Sequence, residues 1–395
     1  MTARRCAGSS TNMITYRKAR PEEFEAMASF ANMVFNHKGD PIQFHRDLTK
    51  VYGPGADRRF AADMHTLAVD DALGIRAMIG ALPNVMHTQA GDLGVRYIGT
   101  VSVHPQARGE GHMKAILPAV LKEAREQGAD IALLGGQRQR YGYFGFVPSG
   151  TVWTMTVIPA NVRHALGGVR AEDVAWRRVE RADREGAHAA AQLHAKGRIR
   201  FDRPEDRFVE ICESYAKELW LAERGGDVQG YVVTDRAKGE WLEVAAVDAD
   251  ALDAMVKSWF SRHGVGTLQI TFPDWQAEDR LHVARYAEDV SMAPGACACI
   301  LDPRRVARTL LAAKAGYAPV EDGALAFDVE GFEPFRLTVE GGAVGTASCG
   351  VGECMKLSAF EMSMLLCCPY PYEGRPEVPK TWFPLPVWAQ GPDTF

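Results

Sequence analysis

At 395 residues the chain has room for two or three domains at roughly 100 to 200 residues each, which excludes a single small binding module. With 47% hydrophobic, 24% charged and 9% aromatic residues, it has the composition of a globular protein and of neither a disordered nor a fibrous one. Lys plus Arg number 45 against 50 Asp plus Glu, so the net charge of −5 offers no basic footprint for nucleic acid or an anionic membrane. The eight cysteines (Cys6, Cys212, Cys297, Cys299, Cys349, Cys354, Cys367 and Cys368) form no CxxC pair and show no zinc-finger spacing. They are expected to be thiols packed as small apolar side chains in a reducing, cytoplasmic setting, with no metal bound. No apolar stretch approaches the ~20 residues that span a bilayer. The polar and basic residues 1–12 lack an apolar segment, so they read as a disordered leader and the fold is expected to begin at Met13.

From Met13 the chain reads as strand, helix, then several strands. Residues 15–18 are extended; Pro21 opens a helix whose apolar positions Phe24, Met27, Ala28, Ala31, Val34 and Phe35 recur at helical spacing. Residues 36–62, rich in Gly, Asp and Arg, lack a clean period and read as a loop or broken helix of the kind that shapes a pocket. Strands are expected at 65–69, 75–82 and 95–103. Met113, Ile116, Leu117, Val120, Leu121 and Ala124 then mark a second amphipathic helix, stopped by Gly128 and bent at Pro118, before a strand at 131–134. The order recurs: strands at 151–157, 219–222, 229–234 and 241–247, a helix at 249–262 closed by Gly264, and a strand at 267–271. A third unit is expected from about Pro294 and Gly295, with a strand at 297–301, a helix at 304–314, hairpins at 324–349 and a helix at 358–366. The last 27 residues hold seven prolines but also Trp382, Phe383, Trp388 and Phe395, so this tail is expected to dock against the body and not to trail in solvent.

The most informative segment is Val101-Ser102-Val103-His-Pro-Gln-Ala-Arg108-Gly109-Glu110-Gly111-His112-Met113-Lys114. A strand, a glycine turn and a helix start follow in direct succession, which aims unpaired backbone N–H groups and the positive end of a helix dipole at one point. That is an anion site. Gly109 and Gly111 permit a sharp turn close to a bulky phosphate, and Arg108 and Lys114 add positive charge. The spacing fits neither GxxxxGK[ST] nor GxGxxG, so an NTP or a dinucleotide is not the first choice.

The pattern V-x-V-x-P-x-x-R-G-x-G resembles motif A of the GNAT N-acetyltransferases, whose R/Q-x-x-G-x-G/A segment holds the pyrophosphate of acetyl-coenzyme A. Here that segment is Arg108-Gly-Glu-Gly111-His-Met113, with Met113 in place of the usual small sixth residue. Seven residues past the strand end at Leu134 stands Tyr141-Gly142-Tyr143-Phe144-Gly145-Phe146. Together with the three-unit chain, it resembles the Eis-type (enhanced intracellular survival) acetyltransferases. The resemblance implies an α/β (α+β) fold: a catalytic GNAT domain over 13–150, a second, degenerate GNAT-like domain over 151–295, and a sterol-carrier-protein-like domain with docked tail over 296–395. It also implies acetyl-CoA as cosubstrate and no metal, with Gly136 and Gln137 joining the motif residues 101–103 and 108–114 at the coenzyme. Tyr141 matches the family's general acid, and the α-carboxylate of Phe395 matches its base.

The second unit enters its helix at 249 through Asp248 and Asp250. These carboxylates would cap the helix and repel a pyrophosphate, so only the first unit is expected to bind coenzyme. The reaction expected is direct acetyl transfer to a primary amine, with the Val103 N–H at the thioester oxygen and a protonated Tyr141 at the leaving thiolate. Asp393 or a pocket histidine stands as an alternative base to Phe395. Asp40, His37 and Glu240 are conceivable ammonium contacts. The resemblance further implies broad amine acceptors such as aminoglycosides and a homo-hexamer. Two other readings stay open: transfer to protein lysine or another acyl acceptor, and a lipid- or ligand-binding scaffold.

Overall fold

The structure, a computed structural model, describes residues 13–36, 43–136, 138–350, 352 and 354–395. The expected leader 1–12 with Cys6, and His37, Asp40 and Gln137, lie outside the described residues. Among the described residues one large mixed sheet dominates. Its first half is β1 (Ile14–Lys18), β2 (His65–Asp70), β3 (Gly74–Thr88), β4 (Gly91–Val103) and β5 (Ile131–Leu134), side by side in chain order. All four residues of β5 are buried, as expected of a central strand covered on both faces. The helix Phe24–Phe35 follows β1, and the helix His112–Glu126 connects β4 to β5 and buries Ile116, Leu117, Val120 and Ala124. Gly128 ends it with φ +80, and Pro118 lies on its exposed face. The segment without a period is a broken helix, with turns at Phe44–Asp47, Thr49–Tyr52 and Arg58–Met64.

The second half-sheet comprises β6 (Val147–Val157), β7 (Val174–Arg178), β9 (Glu218–Arg224), β10 (Asp227–Thr234), β11 (Glu240–Ala246) and β12 (Leu268–Pro273); β8 (Ile199–Phe201) instead pairs with β3. The halves share a construction. In each, two parallel strands joined through a helix touch only briefly: β4 and β5 at Val95–Tyr97, β11 and β12 at Glu240–Trp241, with the helix Ala249–His263 in the second crossover. The apolar pattern also missed β7, β8 and the helix Arg184–Ala195, whose alanines give little periodic contrast.

A correction concerns the strand expected at 297–301. It is the end of a longer strand, β13 (Asp289–Ile300), which pairs with β6 over 289–298 and with β5 over 297–300, so it stitches the half-sheets together. Pro294 and Gly295 read as breakers in sequence. Yet β5 pairing begins only at Cys297, which leaves the Pro294 segment an edge on that side, where proline is tolerated. The rest of the chain adds the helix Pro303–Ala315 and a four-stranded sheet, β14 (Gly323–Val329), β15 (Phe335–Glu340), β16 (Ala343–Ser348) and β17 (Met355–Leu357), in the order β16-β15-β14-β17; the helix Ala359–Cys367 follows.

The proline-rich tail docks as expected, with Trp382, Phe383, Trp388 and Phe395 all buried. Two slots in the large sheet receive its aromatics. Thr151 faces Pro294 and Ser149 faces Ala296, which sets Gly150 opposite Gly295, and a Cβ on either glycine would come under 3.0 Å from Trp388. Gly80 pairs with Gly99, and a Cβ on either would come under 3.0 Å from Phe395. Glycine is required at these four positions for the room it leaves. Trp388→Ala is expected to cost about 3–5 kcal/mol in guanidinium unfolding, because the slot cannot close over the void.

Candidate active site

β4 and β5 pair only at Val95–Ile131, Arg96–Ala132 and Tyr97–Leu133, while β13 runs along the other edge of β5 from Ile131–Ile300 to Leu134–Cys297. Residues 98–103 of β4 therefore keep β3 on one edge and have no β5 partner on the other. Within this open stretch Thr100 has φ +46 and the β3–β4 register shifts, the mark of a bulge. The bulge resets the alternation. Leu93, Val95 and Tyr97 face one core, and Ile98, Val101 and Val103 face the other, shared with Ile116, Leu117 and Tyr141.

Past Val103 the chain makes a single turn at Pro105–Ala107, runs through the exposed Arg108 and enters the helix at Gly111. Gly109 and Gly111 have φ +91 and +83 with open space where a Cβ would stand, so conformation and not crowding calls for glycine. With Gly111 as a cap lacking a side chain, the N–H groups of His112, Met113 and Lys114 have no intrahelical acceptor and point at the loop. This fits a diphosphate. The second half-sheet inverts the arrangement: Asp248 opens the helix at 249, its carboxylate accepting from the Ala251 N–H at 2.8 Å. An anion there would meet a carboxylate already in place.

The side chains of the expected coenzyme set divide. Lys114 reaches over the exposed Tyr143 ring, 5.2 Å from its centroid. Glu110 folds back, 3.0 Å from His112 Nε2 and 3.8 Å from Arg76, and the buried His112 also sits 3.0 Å from Tyr16 Oη. Glu110 and His112 thus border the loop with backbone only. The buried Ser102 hydroxyl donates to the Thr100 carbonyl at 2.8 Å, and Met113 packs in the core of Val101 and Val103. Gly136 has φ +148, and a Cβ there would stand 3.0 Å from the Tyr141 ring. Tyr141 ends a short helix, is 8% exposed and meets Phe146 edge-on at 6.2 Å. Burial raises its pKa above the ordinary tyrosine value, so it keeps its proton at neutral pH. Glu240 begins β11 in the far half-sheet.

Phe395 enters from the opposite face of β4. Its ring lies in the Gly80/Gly99 slot, edge-on to His65 at 5.8 Å, and its carbonyl carbon and oxygen rest against Gly99, one residue before the bulge. His65 is buried beneath it. Its Nδ1 lies 2.5 Å from the Ala61 carbonyl, so that nitrogen carries the proton and donates; Nε2 then accepts from the Tyr52 hydroxyl at 2.6 Å, with Thr100 Oγ1 at 3.2 Å. Burial pushes the His65 pKa down to about 4, so the ring is neutral and both nitrogens are engaged. Asp393 is also committed: its carboxylate accepts from Arg203 Nε at 2.7 Å and Nη2 at 2.8 Å, while Arg203 donates to Glu243 at 2.9 and 2.7 Å. Neither group is a free base. Lys50, Tyr52, His65, Gly80, Gly99, Thr100 and Arg203 escaped the sequence reading; a signal was present only for Gly99-Thr100, a glycine interrupting a strand pattern, which marks a bulge or a close backbone approach.

Residues 15–148 match the family model of the acetyltransferase (GNAT) domain, which supports an acetyl-CoA-dependent transferase activity. Solved structures share the fold over nearly the whole chain. A probable N-acyltransferase from Enterococcus faecalis is 15% identical, with 90% of each chain covered and a TM-score of 0.65. A GCN5-related N-acetyltransferase from Kribbella flavida is 16% identical, with 90% of this chain and 89% of the other covered and a TM-score of 0.62. Eis1 from Mycobacterium abscessus is 12% identical, with 89% and 88% covered and a TM-score of 0.60. No curated protein sequence matches the chain significantly.

The Gly99 contact makes a direct prediction. Gly99→Ala places a Cβ where the Phe395 carbonyl lies, so residues 391–395 should detach and their amides exchange with deuterium at least about tenfold faster, read by mass spectrometry.

Proposed function

We propose that the chain is an N-acetyltransferase that moves an acetyl group from acetyl-CoA to a primary amine by direct attack in a ternary complex. The bound coenzyme supplies the activated thioester. The N–H groups at the start of the helix His112–Glu126, with Arg108 and Lys114, hold its diphosphate. The open edge of β4 offers the Val103 N–H to the thioester oxygen as the amine nitrogen attacks the carbonyl carbon. As the carbon–sulfur bond breaks, Tyr141 gives its proton to the thiolate, and the α-carboxylate of Phe395 takes the proton that the ammonium must lose.

The observation that carries this reading is the seat of Phe395. Its carboxyl carbon and oxygen lie against Gly99, beside the bulge and on the open stretch of β4. Tyr141 belongs to the core on the other face, so acid and base flank the strand edge from opposite sides. That separation lets one group serve the thiol and the other the amine without exchanging a proton directly. The same reading extends to an Eis-type three-unit organisation: a sterol-carrier-protein-like C-terminal domain, a hexamer in the cytoplasm, and aminoglycoside, polyamine or lysine amines as acceptors. The small sheet β14–β17 with its two helices supports the third unit.

Tyr141→Phe should lower kcat by about 10²-fold with little change in the KM for acetyl-CoA, as expected for a lost general acid. An unchanged kcat would return Tyr141 to a packing role. Deleting Phe395, or appending residues to it, should abolish amine-dependent thiol release while coenzyme binding, followed by calorimetry, persists. Full turnover in either form would remove this carboxylate from the mechanism.

A further inference from the structure

Besides Arg203, a second cation that the proposed chemistry does not use binds the tail. Lys50, in the turn Thr49–Tyr52, is 6% exposed, and its Nζ donates to the carbonyls of Pro392 at 2.7 Å and Thr394 at 2.5 Å. Its own carbonyl accepts from Arg207 Nη2 at 2.6 Å, which fixes the turn from below. Burying an ammonium is unfavourable, and burial pushes this one down to about 7 despite the nearby Asp393, with Arg203 and Arg207 opposing its charge. A tail held only for stability would be served by apolar contacts, as Trp388 serves it upstream.

What Lys50 grips is specific. The Thr394 carbonyl belongs to the peptide bond that leads into Phe395, and the Pro392 carbonyl lies two residues earlier. Holding both at one nitrogen fixes the rotation of the last peptide plane. Arg203 clamps Asp393 on one side and the Gly80/Gly99 slot holds the Phe395 ring on the other. Between these anchors the Thr394 peptide oxygen has Lys50 as its hydrogen-bond donor, while the Thr394 hydroxyl turns back to the Gly391 carbonyl at 2.7 Å.

We infer that Lys50 is a positioning residue: by binding the Pro392 and Thr394 carbonyls it aims the Phe395 carboxylate at the ammonium of the acceptor. The inference rests on the proposed role of Phe395 as base. It differs from a stabilising role in what it protects, since a misaimed base slows chiefly acceptors that arrive as ammonium and must lose a proton before the nitrogen can attack.

The test uses the full chain carrying Lys50→Met, with Lys50→Gln, which keeps an amide donor, as the second variant should the first fold poorly. Turnover is measured against primary amines of graded basicity at saturating acetyl-CoA. The ratio of wild-type to variant kcat should rise with amine basicity to about 100-fold for strongly basic alkylamines and stay within about threefold for weakly basic ones, in line with the cost of a roughly 1 Å misplacement. The KM for acetyl-CoA should hold within about twofold, because the diphosphate loop is on the other side of β4. A ratio that is flat across the series, or a kcat unchanged throughout, would overturn the inference. The two failures separate cleanly: loss of turnover on deleting Phe395 with no effect of Lys50→Met leaves the base in place and removes Lys50 from its aiming, whereas turnover that survives the deletion removes the base itself.

Discussion

The guanidinium of Arg203 holds two buried carboxylates at once, Asp393 of the tail and Glu243 of β11, with both side chains at most 1% exposed. Much of the molecule is arranged around this fork. Burial alone would favour neutral Glu243, yet the guanidinium keeps it well below the usual carboxylate range, and Tyr231 adds a hydrogen bond at 2.5 Å. One cation and two carboxylates leave an excess negative charge, which the nearby Lys50 ammonium offsets in part. Such a cluster contributes little net stability over an apolar one, because desolvation consumes the Coulombic gain. Its effect is geometric: a guanidinium binding carboxylates through paired N–H groups fixes atoms, whereas an apolar anchor can slide.

The second half-sheet then has a physical role that needs no coenzyme. It repeats the splayed parallel pair and crossover helix of the first half but fills its helix N-terminus with Asp248, so the anion pole is gone. What it keeps is the strand that follows the same turn of the fold. Glu243 on β11 supplies half of the Arg203 fork, and Leu242 beside it packs near Gly391. The tail crosses β11 of the second half before ending at β4 of the first. The second half-sheet thus serves as a surface on which the tail is anchored.

The repeated crossover, the glycine turn that enters the helix His112–Glu126 and the docking of an aromatic tail were legible because each leaves a local mark: a period, a pair of glycines, or a composition unsuited to solvent. Lys50, His65 and Arg203 left none. Lys50 stands 342 residues from Pro392, and Arg203 stands 190 from Asp393, so their meaning exists only once the sheet has brought them together. The glycine pairs failed differently. Gly295 beside Pro294 reads as a boundary where a new unit begins, but β13 runs through it and glycine is there because Trp388 occupies the space a side chain would take. Local propensity described a break, and tertiary packing used the same residue as a socket.

The short turn Thr49–Tyr52 lies where these threads meet. Lys50 reaches from it to the tail carbonyls, and two residues on Tyr52 reaches His65 and Thr100 Oγ1, the latter at 3.3 Å. Thr100 is the bulge that opens the edge of β4, and His65 is the ring against which Phe395 packs. One turn therefore contacts both the bulge and the end of the tail. Any displacement of this turn moves both references together. Under the proposed mechanism the Val103 N–H and the Phe395 carboxylate, about 290 residues apart in sequence, share this support, which limits the drift between them that would matter to proton transfer. The turn is buried along its whole length and closed at its end by the Gly53 N–H bonding to the Thr49 carbonyl at 2.9 Å, and it acts together with the Arg203 fork and the Gly80/Gly99 slot, which hold the tail at its other points.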